Sequence, residues 1–330
     1  MCTLFLKKFI LDLRKSGMMY KIKDKLNKLP WNKILIIFFS LYIINLQVNV
    51  STFNISNVSM SILKVIRYAC YFIFFIRYMQ IINIKNWKNL CLILMLVAIS
   101  ICSKDISLFI LYIIIMVLKD IKFEKLLIVF FYVSLSVFTV ILLSSVIGVI
   151  PNWIFFRTKE ELRYAFGYQY CTFAPIYFFF IVLVRFCIKK EKIEFSEIML
   201  FFLINIFLYF FSDSRTSFIL TTSVIATMYL IKIIFKFNIA NKIMSNNKIQ
   251  IFIKYLCYTL PTIIVIISIA MTMIYKYNPN GMKEIDNILS NRLMYTEKSI
   301  KKYGISALGT EINWKGLGRI WIHCYRKIRI

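Results

Sequence analysis

The residues best suited to chemistry lie in one short string, Phe211-Ser212-Asp213-Ser214-Arg215-Thr216-Ser217, set between two apolar runs. Arg215 offers a planar fork of donors that matches a phosphate oxygen pair, and Ser212 and Ser214 add hydroxyls to the same anion. Asp213 stands beside them as a carboxylate able to take a proton. The competing interpretation is an ordinary solvated hairpin carrying an interfacial arginine, since charges are common where spans leave a membrane.

A second string runs from Arg163 through Gly167, Tyr168 and Tyr170 to Pro175. Gly167 permits a close backbone approach or a positive φ, and Pro175 falls early in an apolar run, where a missing N–H costs least. That pattern fits a broken or re-entrant segment lining a cavity, while Tyr164, Tyr168 and Tyr170 equally fit an interfacial aromatic belt. The third string starts at Asn291-Arg292 and continues through Tyr295, Tyr303, Gly304, Gly309 and Trp314. An arginine, glycines and aromatics suit the binding of a sugar by stacking and charge, and also suit a turn-rich loop.

These strings need a scaffold, and composition says which. Of 330 residues 60% are hydrophobic and only 17% charged, with 42 Lys plus Arg against 15 Asp plus Glu, a net charge of +27. Such a chain is an all-α polytopic integral membrane protein. Apolar runs near 33–50, 60–82, 89–103, 105–118, 125–150, 170–188, 196–212, 216–235 and 255–275 predict about nine transmembrane helices. Lysines and arginines concentrate in residues 1–32 and in alternate loops, which places the N-terminus in the cytoplasm. The chain then divides into a basic cytoplasmic segment 1–32, a transmembrane region 33–275, and an outer segment 276–330. Large outer loops follow the fifth span (151–169) and the ninth, with an outer turn at 212–216.

The basic excess falls in short loops between spans, so nucleic acid is not a partner. A single His (His323) and eight cysteines with no C-x-x-C spacing leave no metal centre to expect. No cleavable signal pattern is expected, since the basic start leads directly into spans. The loop 151–169 and the outer segment nevertheless carry Arg157, Lys159, Arg163 and Arg292, and basic outer loops on an apolar protein point to an anionic ligand.

The three strings, in this order and at these positions, resemble the Wzy-type bacterial polymerases of capsule, O-antigen and exopolysaccharide repeat units. The matching elements are Arg163 with Gly167, the Ser212 to Thr216 turn, and the run from Asn291 to Trp314. The resemblance implies a multi-pass glycosyltransferase of the bacterial cytoplasmic membrane. It would move a growing glycan from undecaprenyl diphosphate onto a lipid-linked repeat unit at the outer face, without a cofactor or metal. Arg163, Arg215 and Arg292 would clamp the diphosphate, with Asp213 catalytic beside them. Gly167, Ser212, Ser214, Tyr168, Tyr303 and Trp314 would contact substrate. Arg67, within the second span, is a weaker addition to the clamp. A flippase and a chain-length regulator are the protein partners it implies. For a general base the choices are Asp213, Glu160, Glu161, Glu284, Glu297 and Glu311, with His323 suggested by related ligases. Family members finish with further spans, whereas GLGRIWIHCYRKIRI contains none, which makes a truncated, inactive remnant one alternative and a lipid-linked oligosaccharide flippase another.

Overall fold

The structure is a computed structural model, and it describes residues 29–55, 57–82, 87–156, 162–236, 247–289, 291–304, 306 and 308–311. Each of the nine apolar runs lies on a helix. In chain order these are α1 (Trp31–Asn49), α2 (Asn57–Ile81), α3 (Trp87–Ser103), α4 (Ser107–Leu118), α5 (Phe123–Val146), α6 (Phe173–Lys189), α7 (Phe195–Ser212), α8 (Arg215–Lys236) and α9 (Asn247–Tyr277). Two short helices follow, α10 (Lys283–Ile288) and α11 (Arg292–Tyr303). The chain is thus a helical membrane protein. Among the described residues five helices are both long and apolar enough to cross a bilayer, namely α1, α5, α7, the Arg215–Ile234 part of α8 and the Tyr258–Tyr277 part of α9.

The other four miss that standard for visible reasons. Lys64, Arg67 and Arg77 interrupt α2, α3 and α6 have 17 residues each, and α4 has 12. The predicted hairpin between the third and fourth runs is present, with Lys104 in the left-handed region at φ 54°. Within the helices, many hydroxyls are satisfied locally, with Ser134, Ser145 and Ser212 as buried exceptions. Ser40, Ser100, Thr139, Ser223 and Thr259 each donate to the carbonyl four residues back, so no bare hydroxyl meets lipid at these positions.

Packing divides into two cores. The first gathers α1, α2 and α4 around Leu35, Cys70, Phe74, Ile114 and Val117. The second gathers α5 to α8 around Ile141, Phe178, Ile181, Leu208 and Met228. Helix α1 packs on both α2 and α5 and so joins the halves, while α9 packs chiefly on α11.

One departure from an all-helical expectation occurs in the loop 151–169. Ile154–Phe156 (β1) and Leu162–Tyr164 (β2) pair antiparallel, Phe155 opposite Arg163. Three-residue strands give too short an alternation to announce themselves in sequence, and β2 then packs against α7. Arg157, Lys159, Glu160 and Glu161, between the strands, lie outside the described residues, as do residues 1–28, Trp314 and His323.

Candidate functional site

The backbone after β2 fixes where Arg163 can act. Phe166 and Gly167 both have positive φ, 52° and 78°. A Cβ on Gly167 would stand 2.8 Å from the Ile150 and Ser145 side chains and 3.0 Å from the Ile141 carbonyl, so only glycine fits. The Gly167 carbonyl accepts from both the amide (2.8 Å) and the hydroxyl (3.0 Å) of Thr52. Gln169 donates its amide to the Val50 carbonyl and its side chain to the Asn49 carbonyl. The loop is thereby latched to the end of α1.

From that latched loop Arg163 reaches the turn between α7 and α8. Its Nε donates to the Ser212 carbonyl at 2.8 Å and an Nη to the Asp213 carbonyl at 3.1 Å. These are terminal carbonyls of α7, whose helix ends with Asp213 in the left-handed region at φ 46°. A helix C-terminus carries partial negative charge and unpaired carbonyls, so a guanidinium there is stabilising in its own right. Arg163 therefore holds the turn and positions the start of α8.

Arg215 and Arg292 occupy the opposite kind of position. Each is the first residue of its helix, α8 and α11, where the dipole is positive and a cation is disfavoured. Helix N-termini of this kind attract anions. The two are brought together, since an Arg292 Nη lies 3.5 Å from the Thr216 hydroxyl. Arg215 has a side chain 54% exposed, and its Nε is 3.7 Å from an Asp213 carboxylate oxygen, a loose pair. A second carboxylate is near but occupied: buried Asp286 accepts the Leu293 amide at 2.8 Å and so caps the first turn of α11. Sequence reasoning placed Thr216 in the first string without giving it a role, and it missed Asp286, which lies five residues before the third string.

The remaining expected contacts sort differently. Ser212 is fully buried with its hydroxyl unpartnered, and Ser214, also buried, donates to the Ser217 hydroxyl at 3.2 Å. Neither is an open donor for substrate. Tyr168 is fully buried, its ring 5.6 Å from that of Tyr177 and its phenol pushed upward in pKa by burial. It belongs to the core, neither to an interfacial belt nor to a sugar-binding surface. Tyr164 packs edge-on against Phe211 at 5.8 Å and helps seat β2 on α7. Tyr170 is exposed, and partial burial of its phenol raises its pKa. Tyr303 ends α11, 11 residues or about 17 Å from Arg292 along the helix, with the Lys302 ammonium 5.2 Å from its ring. It is not part of the arginine cluster. Glu297 pairs with Lys301, and Glu311 with Lys104.

The assembled site is thus Asp213, Arg215 and Thr216 at the start of α8, with Arg292 from the start of α11 reaching Thr216, braced by Arg163. It has the donors to hold a phosphate or diphosphate and one carboxylate to move a proton. Among the described residues no group of three or more His, Cys, Asp or Glu side chains could hold a metal ion. Comparison with family models, curated proteins and solved structures gives no match to this chain.

Proposed function

We propose that the protein is an oligosaccharide repeat-unit polymerase of the bacterial cytoplasmic membrane, acting on undecaprenyl-diphosphate-linked glycans in capsule or O-antigen assembly. The carrying observation is that Arg215 and Arg292 each open a helix and that Arg292 reaches the Thr216 hydroxyl beside Arg215, which sets two cations at helix N-termini, a placement that costs stability unless an anion occupies it. In this proposal all nine helices span, the N-terminus is cytoplasmic, and the arginine turn faces outward.

The chemistry assigns one role to each group. Arg215 and Arg292 stabilise the diphosphate as the bond between the sugar anomeric carbon and the phosphate oxygen breaks, the electron pair leaving with the diphosphate. The anomeric carbon bonds to a hydroxyl oxygen of the incoming lipid-linked unit, and Asp213 takes that hydroxyl's proton. Arg163 is a positioning residue. A flippase would deliver the lipid-linked unit and a chain-length regulator would act on the product.

The test is a gel profile of surface and lipid-linked glycan from a strain deleted for the gene. Complementation with the full chain should restore a ladder, and Arg215→Gln should leave single repeat units while the protein still inserts. A normal ladder from Arg215→Gln would remove Arg215 from the site. Units trapped on the inner face of the deletion strain would favour a flippase, and failure of the wild-type chain to restore the ladder would favour an inactive remnant.

A further inference from the structure

Outside the pair Arg215 and Arg292, the described arginines meet their charge with different partners, and Arg77 keeps a buried Nε with none. Arg163 takes two carbonyls at a helix C-terminus, Arg185 takes the Glu197 carboxylate, and Arg77 takes Gln80 and the face of Trp31 near the far end of α2. Arg67 receives one amide oxygen: its Nε donates to Asn45 Oδ1 at 3.2 Å. Asn45 cannot turn away, because its own amide nitrogen donates to the Leu63 carbonyl at 2.6 Å.

This leaves the full positive charge of Arg67 against neutral groups on a helix of mostly apolar sequence, a placement that is costly and rarely without function. Its surroundings are those of an anion site. Lys64 lies one turn away on the same face of α2 and is exposed. Tyr71 lies one turn beyond Arg67 on α2 and Tyr42 lies three residues before Asn45 on α1, with their rings 6.1 Å apart. Depth also fits. The Arg67 side chain is drawn to the level of Asn45, four residues or about 6 Å short of the end of α1. That is the end latched to the Gly167 loop, where lipid headgroups would lie. On the same stretch of α2, Val65 and Tyr68 are 68% and 65% exposed, so the site opens sideways to lipid.

We infer that Arg67 and Lys64, with the hydroxyls of Tyr42 and Tyr71, bind the phosphate of a membrane lipid whose chain lies along the exposed face of α2. This site is separate from the arginine turn and does not depend on the polymerase proposal. If both hold, two lipid phosphates bind at one end of the bundle, as a reaction between two lipid-linked substrates requires.

The probe is dioleoyl phosphatidic acid, added to the purified full-length chain in detergent and followed by native mass spectrometry. An Arg215→Gln background removes the contribution of the other site. One phosphatidic acid should be retained and dioleoylglycerol should not. Arg67→Gln should weaken retention about tenfold, the loss of one charge-assisted contact. Arg67→Lys should weaken it less, and Arg77→Gln should leave it unchanged. Where Arg67→Gln fails to insert, the exposed Lys64→Gln decides, with an expected loss of about threefold. Retention equal to the parent chain in both Arg67→Gln and Lys64→Gln would overturn the site. Inorganic phosphate displacing the lipid would overturn the lipid assignment in favour of a free anion.

Discussion

The two ends of α7 treat positive charge in opposite ways. At the Phe195 end, Arg185 and Lys189 both reach one Glu197 oxygen, at 2.6 and 2.9 Å, and Arg185 also lies 5.0 Å from the Phe131 ring. At the Ser212 end the Arg215 Nε stands 3.7 Å from an Asp213 carboxylate oxygen, and Arg163 spends its donors on main-chain carbonyls. Pairing closes the first end electrostatically, while at the second the Arg215 side chain stays about half exposed. The difference locates the anion site better than charge count does, because both ends are basic.

The contrast can be broken from several directions. The largest effect is expected from Gly167→Val, which forces a Cβ into Ile150 and Ser145 at a positive φ. Strain and overpacking together should cost about 3 kcal/mol, read as a lower Tm in detergent and loss of the ladder. An unchanged Tm would mean the loop is not latched as described. Next, Glu197→Gln strands two cations at the closed end. With the pair partly exposed, a loss of about 2 kcal/mol is expected, with polymer lengths normal in cells that still insert the chain.

Arg163→Gln should cost about 1.5 kcal/mol by removing charge-assisted bonds to the α7 carbonyls, and should shorten the ladder because the turn is no longer held. Arg163→Lys should rescue stability more than glycan length, since one ammonium cannot serve both carbonyls in a fork. The smallest stability change has the opposite sign. Arg215→Gln relieves a cation at a helix N-terminus and should raise stability by about 0.5 kcal/mol while abolishing polymer. A clear loss of stability would make Arg215 structural.

Helix placement was largely legible, because in a bilayer the length of an apolar run and its flanking charge decide most of the outcome. Asn57–Ile81 and Phe195–Ser212 lie within a few residues of the runs that announced them. The α7–α8 turn was legible for the same reason, since six polar residues in succession, Ser212 to Ser217, interrupt lipid-compatible sequence. Side-chain fate was not. Tyr168 and Tyr170 are two residues apart and chemically identical, yet one is fully buried and the other exposed. What separates them is which elements cover each ring: Tyr168 lies against Phe138 of α5 and Tyr177 of α6, whereas Tyr170 lies against Phe155 of β1 and Phe173 at the start of α6, a tertiary difference. Nor did spacing tell Arg163 from Arg215, whose difference is the polarity of the helix end each one meets.

The grip of Arg163 has a consequence for how such a chain can change over time. Its acceptors are the carbonyls of Ser212 and Asp213, which any amino acid at those positions would supply. The same holds for the latch, where Thr52 and Gln169 engage the main chain of Gly167, Val50 and Asn49. Substitution can therefore run through most of the turn and the loop while the arginine stays in register. The geometry is inherited through a few donors and one glycine, and the letters around them are free to drift until relatives no longer resemble one another.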